Sequence, residues 1–248
     1  MKKLDVLAFG AHPDDTELGC SGTLAALSKQ GKKVGVVDLT RGEMGSRGTP
    51  EIRKKEALKA AEIIGLDARD NIGLPDSQIS NTREFQLPII QKLRLYRPHI
   101  AIITAPDDRH PDHGDATALL TDAIFFSGLL KIETKGPDGK IQEPHRPAHV
   151  IHYIQDRPFD PDFIFDISET MDTKIEAIKA FSSQFNVADP GNEPQTYVSD
   201  PAFFEALKGR ARHLGHLAGF QYGEGFIYAQ KPFPVKDFGF LLDTSPKR

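Results

Sequence analysis

The sequence predicts an α/β fold, a mainly parallel β-sheet covered by helices on both faces. Two observations carry this. Apolar runs of strand length alternate with stretches of helical apolar spacing from residue 4 through 115, the pattern that successive strand and helix crossovers leave in a sequence. Two polar clusters, "AHPDD" and "DDRHPDHGD", each stand directly behind such an apolar run, and in parallel sheets ligands collect beyond the carboxyl ends of the strands.

The elements follow in order. "LDVLAFG" (4–10) reads as a buried strand, and 17–30 as a helix from the spacing of Leu18, Thr23, Leu24 and Leu27. "VGVVDL" (34–39) is the next strand; the Gly-rich "TRGEMGSRG" (40–48) leads into a helix that opens at Pro50 and stops at Gly65. A short "NIGLPD" (71–76), a helix over about 84–97 and the strand "HIAIITA" (99–105) continue the alternation. The turn-rich 131–147 reads as an excursion, "HVIHYI" (149–154) and "FIFDI" (163–167) as strands, and 170–181 and 200–217 as helices. Between those helices, 182–200 holds too many turn residues for either periodic element and reads as a long ordered loop.

Composition narrows the function classes. A chain of 248 residues, 39% apolar and 27% charged, suits one domain spanning 1–248 around one sizeable core. Its net charge of −4 contains no basic block that would neutralise a phosphate backbone, so nucleic acid is not an expected partner. The lone Cys20 cannot close an internal disulfide, and the apolar stretch of "MKKLDVLAFGAHPDD" is interrupted by Asp5 and too short for a signal core; a cytoplasmic location is expected. No run approaches the roughly 20 apolar residues of a membrane helix.

The two polar clusters carry the chemistry. A metal site with an open position needs three nitrogen or oxygen ligands, and His12, Asp15 and His113 meet that count. Residues three apart in a tight turn or first helical turn point to one side, so His12 and Asp15 can converge while Asp14 is aimed elsewhere. That leaves Asp14 free to act as a base. "HPDH" repeats the spacing, with His113 completing the site and His110 nearby. Two imidazoles and a carboxylate suit zinc, with ferrous iron, cobalt or nickel as other occupants.

"AHPDDTELGCSGT" (11–23), "LTRGEMGSRG" (39–48) and "HPDH" (110–113) together resemble the metal-dependent N-deacetylases of the PIG-L/LmbE-like family, and by element order the resemblance covers most of 4–185. It implies a Rossmann-like three-layer sandwich. "TRGEMGSRGT" with "DRHPDH" is most similar to the bacillithiol-biosynthesis branch, which acts on N-acetylglucosaminyl-malate. The resemblance implies one zinc ion per chain on His12, Asp15 and His113, Asp14 as general base, a protonated His110 facing the oxyanion, and Asp112 orienting His110. It further implies that Arg53 and Arg109 grip the malate carboxylates, that Tyr197 forms pocket wall, and that Glu43 contacts the sugar. The expected partner is a small glycoconjugate, with no membrane; a homo-oligomer is also implied, to which the tail "FPVKDFGFLL" (233–242) offers a contact. One departure stands out: many relatives carry a His before the Ser-Gln of the late helix, whereas this chain reads "AFSSQF" (180–185).

Plainer readings stand beside these. "HPDD" alone is an Asp-rich helix cap and "HPDH" alone an ordinary helix start; their pairing on one rim favours a metal. Arg53 serves equally well as an ion-pair residue, and Glu43 and Tyr197 as structural ones. Alternative functions are deacetylation of a chitobiose or inositol-linked conjugate, or non-catalytic binding of a sugar or nucleotide. A binding module has no use for a spare acid such as Asp14 between two ligands.

Overall fold

The computed structural model describes residues 3–185, 194–200, 202–235 and 239. Its centre is a seven-stranded sheet in the order β3-β2-β1-β4-β5-β7-β6. Strands β1 (Val6–Gly10), β2 (Val34–Thr40), β3 (Ala68–Leu74), β4 (Ile100–Ile103) and β5 (His149–Tyr153) run parallel. β7 (Gly223–Tyr228) is antiparallel to both β5 and β6 (Phe163–Asp166). The fold is the expected α/β sandwich.

Side-chain alternation along β1 shows how the layers form. Val6 and Ala8 enter the apolar cluster beneath α1 (Asp15–Lys29), α2 (Pro50–Ile64), α5 (Met171–Lys179) and α7 (Ala202–Ala218), while Leu7 and Phe9 enter the opposite cluster beneath α3 (Arg83–Tyr96) and α4 (Pro111–Ser127). A strand buried on both faces reads as a continuous apolar run, and β1 is buried throughout. α2 begins where the sequence places it, with Thr49 accepting from the Ile52 N–H, and ends at Gly65 with φ 80°.

Two elements depart from the expectation. β7 is absent from the sequence reading because the two glycines of "GEGFIY" hide its apolar alternation; it is held from outside, between β5 and β6. The 182–200 loop contains a short helix α6 (Ser182–Phe185) and a single 3-10 turn at Tyr197–Ser199, and its stretch 186–193 lies outside the described residues. The proposed tail contact at 233–242 also lies largely outside them.

The strand order locates the site. It steps back 3-2-1 from β1 and forward 4-5 from β4, so the direction of winding reverses between β1 and β4. Such a reversal opens a crevice at the carboxyl ends of the two strands. "AHPDD" leaves β1 and "DDRHPDH" leaves β4 at that crevice.

Candidate metal centre

The turn after β1 is built to crowd its side chains. A Cβ on Gly10 would lie 3.0 Å from the His12 carbonyl oxygen and 3.2 Å from the Asp15 Cβ, so the chain folds back there with almost no room to spare. Asp14 takes φ 115°, a region that L residues avoid. Neighbours hold it there. The Thr40 N–H and hydroxyl both donate to the Ala11 carbonyl, and Arg53 Nη2 donates to the Pro13 carbonyl and pairs with Asp14 Oδ2 at 3.0 Å.

His12, Asp15 and His113 converge. Asp15 Oδ2 lies 3.4 Å from His12 Nδ1, and Asp15 Oδ1 lies 3.2 Å from His113 Nε2. Bonds of about 2.0 to 2.1 Å at a tetrahedral angle place neighbouring donor atoms about 3.4 Å apart; both separations are of that size, each from a different oxygen of Asp15, so the carboxylate stands between the two imidazoles where a cation could be held. The other nitrogen of each imidazole rests on a carboxylate: His113 Nδ1 on Asp108 Oδ2 at 2.8 Å, and His12 Nε2 on Asp76 and Asp112, both at 3.2 Å. Carboxylates behind imidazoles fix the tautomer and direct the free nitrogen at a metal. Ring nitrogens of His12, His110 and His113 also gather within 4.8 Å, and His12 with Asp76 and Asp112 forms a second group able to hold an ion.

Charge supports the same occupant. Burial would depress the His113 imidazole, but the Asp15 carboxylate and the hydrogen bonds to Asp108 and Asp15 outweigh it and raise the pKa to about 10. His12 is likewise raised, against its burial, by Asp112, Asp15 and Asp76. A place that retains protons this strongly is short of positive charge. A divalent cation supplies it.

Asp14 is buried, lines the cavity beside the ligands, and pairs with Arg53. Burial pushes its carboxyl up to about 7 against the pull of the Arg53 guanidinium, with Asp15 adding to the rise. His110 caps α4, its Nδ1 accepting the Asp112 backbone N–H at 3.2 Å. An acceptor Nδ1 leaves the proton on Nε2.

Four residues are engaged otherwise than the sequence leads one to expect. Arg53 lines the cavity beside His12, Asp14 and His113, but its side chain is 5% exposed and already engaged by Asp14 and Pro13, with Gly42 packed against the guanidinium. Glu43 is not aimed at a sugar, because its carboxylate accepts the backbone N–H groups of Asp76 and Arg41. The Asp112 carboxylate serves His12 and the Ser77 N–H, while His110 receives only the Asp112 backbone N–H. Burial and the charges of His12 and His113 push the His110 pKa down, which favours the neutral ring over the protonated one expected, and a neutral ring still offers its Nε2–H.

Arg109 and Tyr197 meet beside the site. Arg109 lines a cavity of about 180 Å³ together with His12, Asp14, His110 and His113. Its Nε lies 2.6 Å from Asp156 Oδ2 and its guanidinium 4.5 Å from the Tyr197 ring centre, while the Tyr197 hydroxyl donates to Asp156 Oδ1 at 3.0 Å. Sequence reasoning missed Asp76, Asp108, Gln155 and Asp156. Asp108 stood inside the quoted cluster and could have been found; Gln155, whose amide donates to Asp15 Oδ1 at 2.9 Å, and Asp76 and Asp156 carry no local signal.

Two imidazoles, a carboxylate, a buried spare acid and a fixed N–H donor at the sheet's reversal point define a hydrolase site with a place for a metal. Comparison with known proteins gives the family: the chain belongs to the PIG-L family, whose profile, described as GlcNAc-PI de-N-acetylase, matches residues 7–125. It is a deacetylase of that family, a hydrolase of amides. The conserved protein TT1542 of Thermus thermophilus is 39% identical, with 94% of this chain and 98% of that one covered and a TM-score of 0.82. A diacetylchitobiose deacetylase of Thermococcus kodakarensis is 29% identical over 90% of this chain and 82% of its own. A probable N-acetyl-alpha-D-glucosaminyl L-malate deacetylase 2 of Bacillus cereus is 29% identical over 72% of this chain and 83% of its own.

Proposed function

We propose that this protein hydrolyses the acetamide of an N-acetylglucosamine conjugate, with zinc held by His12, Asp15 and His113, one ion per chain, and Asp14 as general base. The observation that carries this reading is Asp14 itself, a buried carboxyl beside a ligand set to which it does not belong, with a pKa of about 7. A general base works best with its pKa near the operating pH.

When bound, the metal supplies Lewis acidity and a water acidified from about 15.7 to about 7. Asp14 accepts the proton of the water that attacks the acetamide carbon. As charge develops on the carbonyl oxygen, His110 donates its Nε2–H to it, a donor fixed beforehand by the Asp112 N–H. Asp14 then passes its proton to the amide nitrogen as the C–N bond breaks, leaving acetate and a free amine. Asp108 and Asp112, in contact with His113 Nδ1 and His12 Nε2, would keep the opposite nitrogens free to hold the metal.

For the aglycone, the proposed substrate is N-acetylglucosaminyl-malate in bacillithiol biosynthesis, in the cytoplasm. Arg109 on the cavity rim supports it, as does the Bacillus cereus relative. A second reading, a chitobiose, is favoured by the alignment with the Thermococcus protein across 90% of this chain. Among the described residues no helix is long and apolar enough to cross a membrane.

The test is acetate release from N-acetylglucosaminyl-malate, diacetylchitobiose and N-acetylglucosamine, measured beside bound metal per chain. Release that needs the metal and is fastest on the malate conjugate is the expected result. Preference for diacetylchitobiose selects the second reading, and no release from any of them by metal-loaded protein overturns the proposal.

A further inference from the structure

Gln155 follows β5 and reaches the crevice that the two polar turns share. Its Nε2 donates to Asp15 Oδ1 at 2.9 Å, the same oxygen that lies 3.2 Å from His113 Nε2. A carboxylate only accepts, so the amide turns its nitrogen to Asp15 and its oxygen away. The two ends of a planar carboxamide are about 2.3 Å apart, which keeps Oε1 within about 5 Å of the Asp15 oxygen.

That Oε1 is buried and, among the described residues, finds no hydrogen-bond donor. A buried acceptor left unpaired is costly, and a working site is one of the few places where such an atom persists. Of the buried polar atoms without a partner, two belong to residues that line this cavity, Gln155 Oε1 and Arg53 Nε. Gly42 covers the second, since a Cβ there would stand 3.1 Å from it. The first is left for a ligand. The carboxylates around it are already committed: Asp15 accepts the His12 backbone N–H, Asp76 accepts that of Met44, and Asp14 is paired with Arg53.

The acetamide brings the missing donor. Its carbonyl oxygen faces His110 and its carbon the attacking water, so its N–H is the group still without a partner, and an N–H can only donate. We propose that Gln155 is a further catalytic residue, whose Oε1 accepts the N–H of the scissile acetamide while its Nε2 braces Asp15. The contact strengthens along the reaction. As the nitrogen takes up the proton from Asp14 it gains positive charge, and a hydrogen bond from a charged donor is about twice as strong as one between neutral groups. An interaction that is stronger in the transition state raises turnover, so the contribution falls on kcat. No bond forms to Gln155, and acetate and the free amine leave as before.

The inference rests on the deacetylase reading. Its probes are N-acetylglucosaminyl-malate and diacetylchitobiose, each beside an analogue in which an acetate ester replaces the scissile acetamide, and acetate release by the metal-loaded protein is measured on all four. Gln155→Met is expected to lower kcat on the amide about 10- to 100-fold, the range of a hydrogen bond to a charged group, with KM little changed. The ester has no N–H to lose, so the amide-to-ester ratio of kcat should fall by about tenfold or more. Gln155→Asn, which withdraws the oxygen by one methylene, should lower that ratio part of the way, and Gln155→Glu, which keeps an acceptor of the same reach, should preserve it. The ratio does not depend on how much metal a variant retains, because both substrates meet the same protein.

Equal losses on amide and ester overturn the proposal, since they would mean that Gln155 only braces Asp15. A loss carried by KM with kcat intact overturns it as well, as does a ratio that Gln155→Glu reduces as far as Gln155→Met. Failure of the deacetylase reading would show separately, as absence of acetate release from all four compounds by the native protein.

Discussion

The two turns that supply the metal centre reach the same crevice by different means. The turn after β4 supplies its own fixings. Asp108 accepts the N–H groups of Arg109, Asp156 and Arg157 at 2.8, 3.2 and 2.9 Å, His110 caps α4 with φ −85°, and Pro111 opens the helix. The turn after β1 has no such economy: Asp14 stands at φ 115°, α1 starts without a side-chain cap, and Thr40 and Arg53 impose the shape from β2 and α2. The acceptor and the cap of the β4 turn lie within it; the β1 turn depends on side chains from elsewhere. The dependent turn is the one that carries the proposed base, and strain retained at a working residue needs surroundings that fix it.

The largest effects should come from the ligands the two turns share. Asp15→Ala and His113→Ala each remove a proposed ligand, so bound metal should disappear and activity should fall by more than about a thousandfold. Metal analysis beside an acetate assay checks both. Next come the residues proposed to act on protons. Asp14→Asn should retain metal and lose about 100- to 10,000-fold in turnover, and His110→Ala about 100- to 1000-fold. Metal loss in Asp14→Asn would place that carboxylate among the ligands and merge the roles that the β1 turn keeps apart.

The same contrast explains what the sequence made legible. Strand and helix alternation, the N-cap at Thr49 and the stop at Gly65 are local patterns, and they appear where expected. So does the pairing of His12 with Asp15, because a three-residue separation in a tight turn is itself a geometric statement. What escaped were contacts between segments far apart in the chain. Arg53 and Glu43 bear charges that suit a ligand, and nothing nearby announces that Asp14 and the Asp76 backbone use them first. Asp112 stands two residues from His110, yet its carboxylate turns to His12, 100 positions away. β7 was hidden for the same reason, since its partners β5 and β6 lie elsewhere.

A smaller effect sharpens the comparison from behind the ligands. Asp108→Asn should weaken metal binding about 10- to 100-fold by leaving His113 Nδ1 with a poorer acceptor. Asp112→Asn should cost less, because His12 Nε2 keeps Asp76 at the same 3.2 Å. Competition with a chelator measures both. An Asp112 effect as large as that of Asp108 would mean that Asp76 contributes nothing to holding His12.

The finest test concerns Arg53, the outside support of the β1 turn. Burial raises the Asp14 carboxyl and the Arg53 guanidinium opposes it, giving a pKa of about 7. A base acts when deprotonated, so activity is present above that pKa and lost as pH falls through it. Arg53→Met removes the charge that favours the carboxylate, and the acid limb of kcat/KM should move to higher pH; Arg53→Lys, which retains a charge, should move it less. The turn is also braced by the hydrogen bond from Arg53 to Pro13, so a mere loosening must be distinguished. Loosening would lower the high-pH plateau, and displacement of the ligands would lower metal content, whereas a purely electrostatic role moves the limb and leaves both in place. An unmoved limb with a lowered plateau would show that Arg53 shapes the turn without tuning the acid within it.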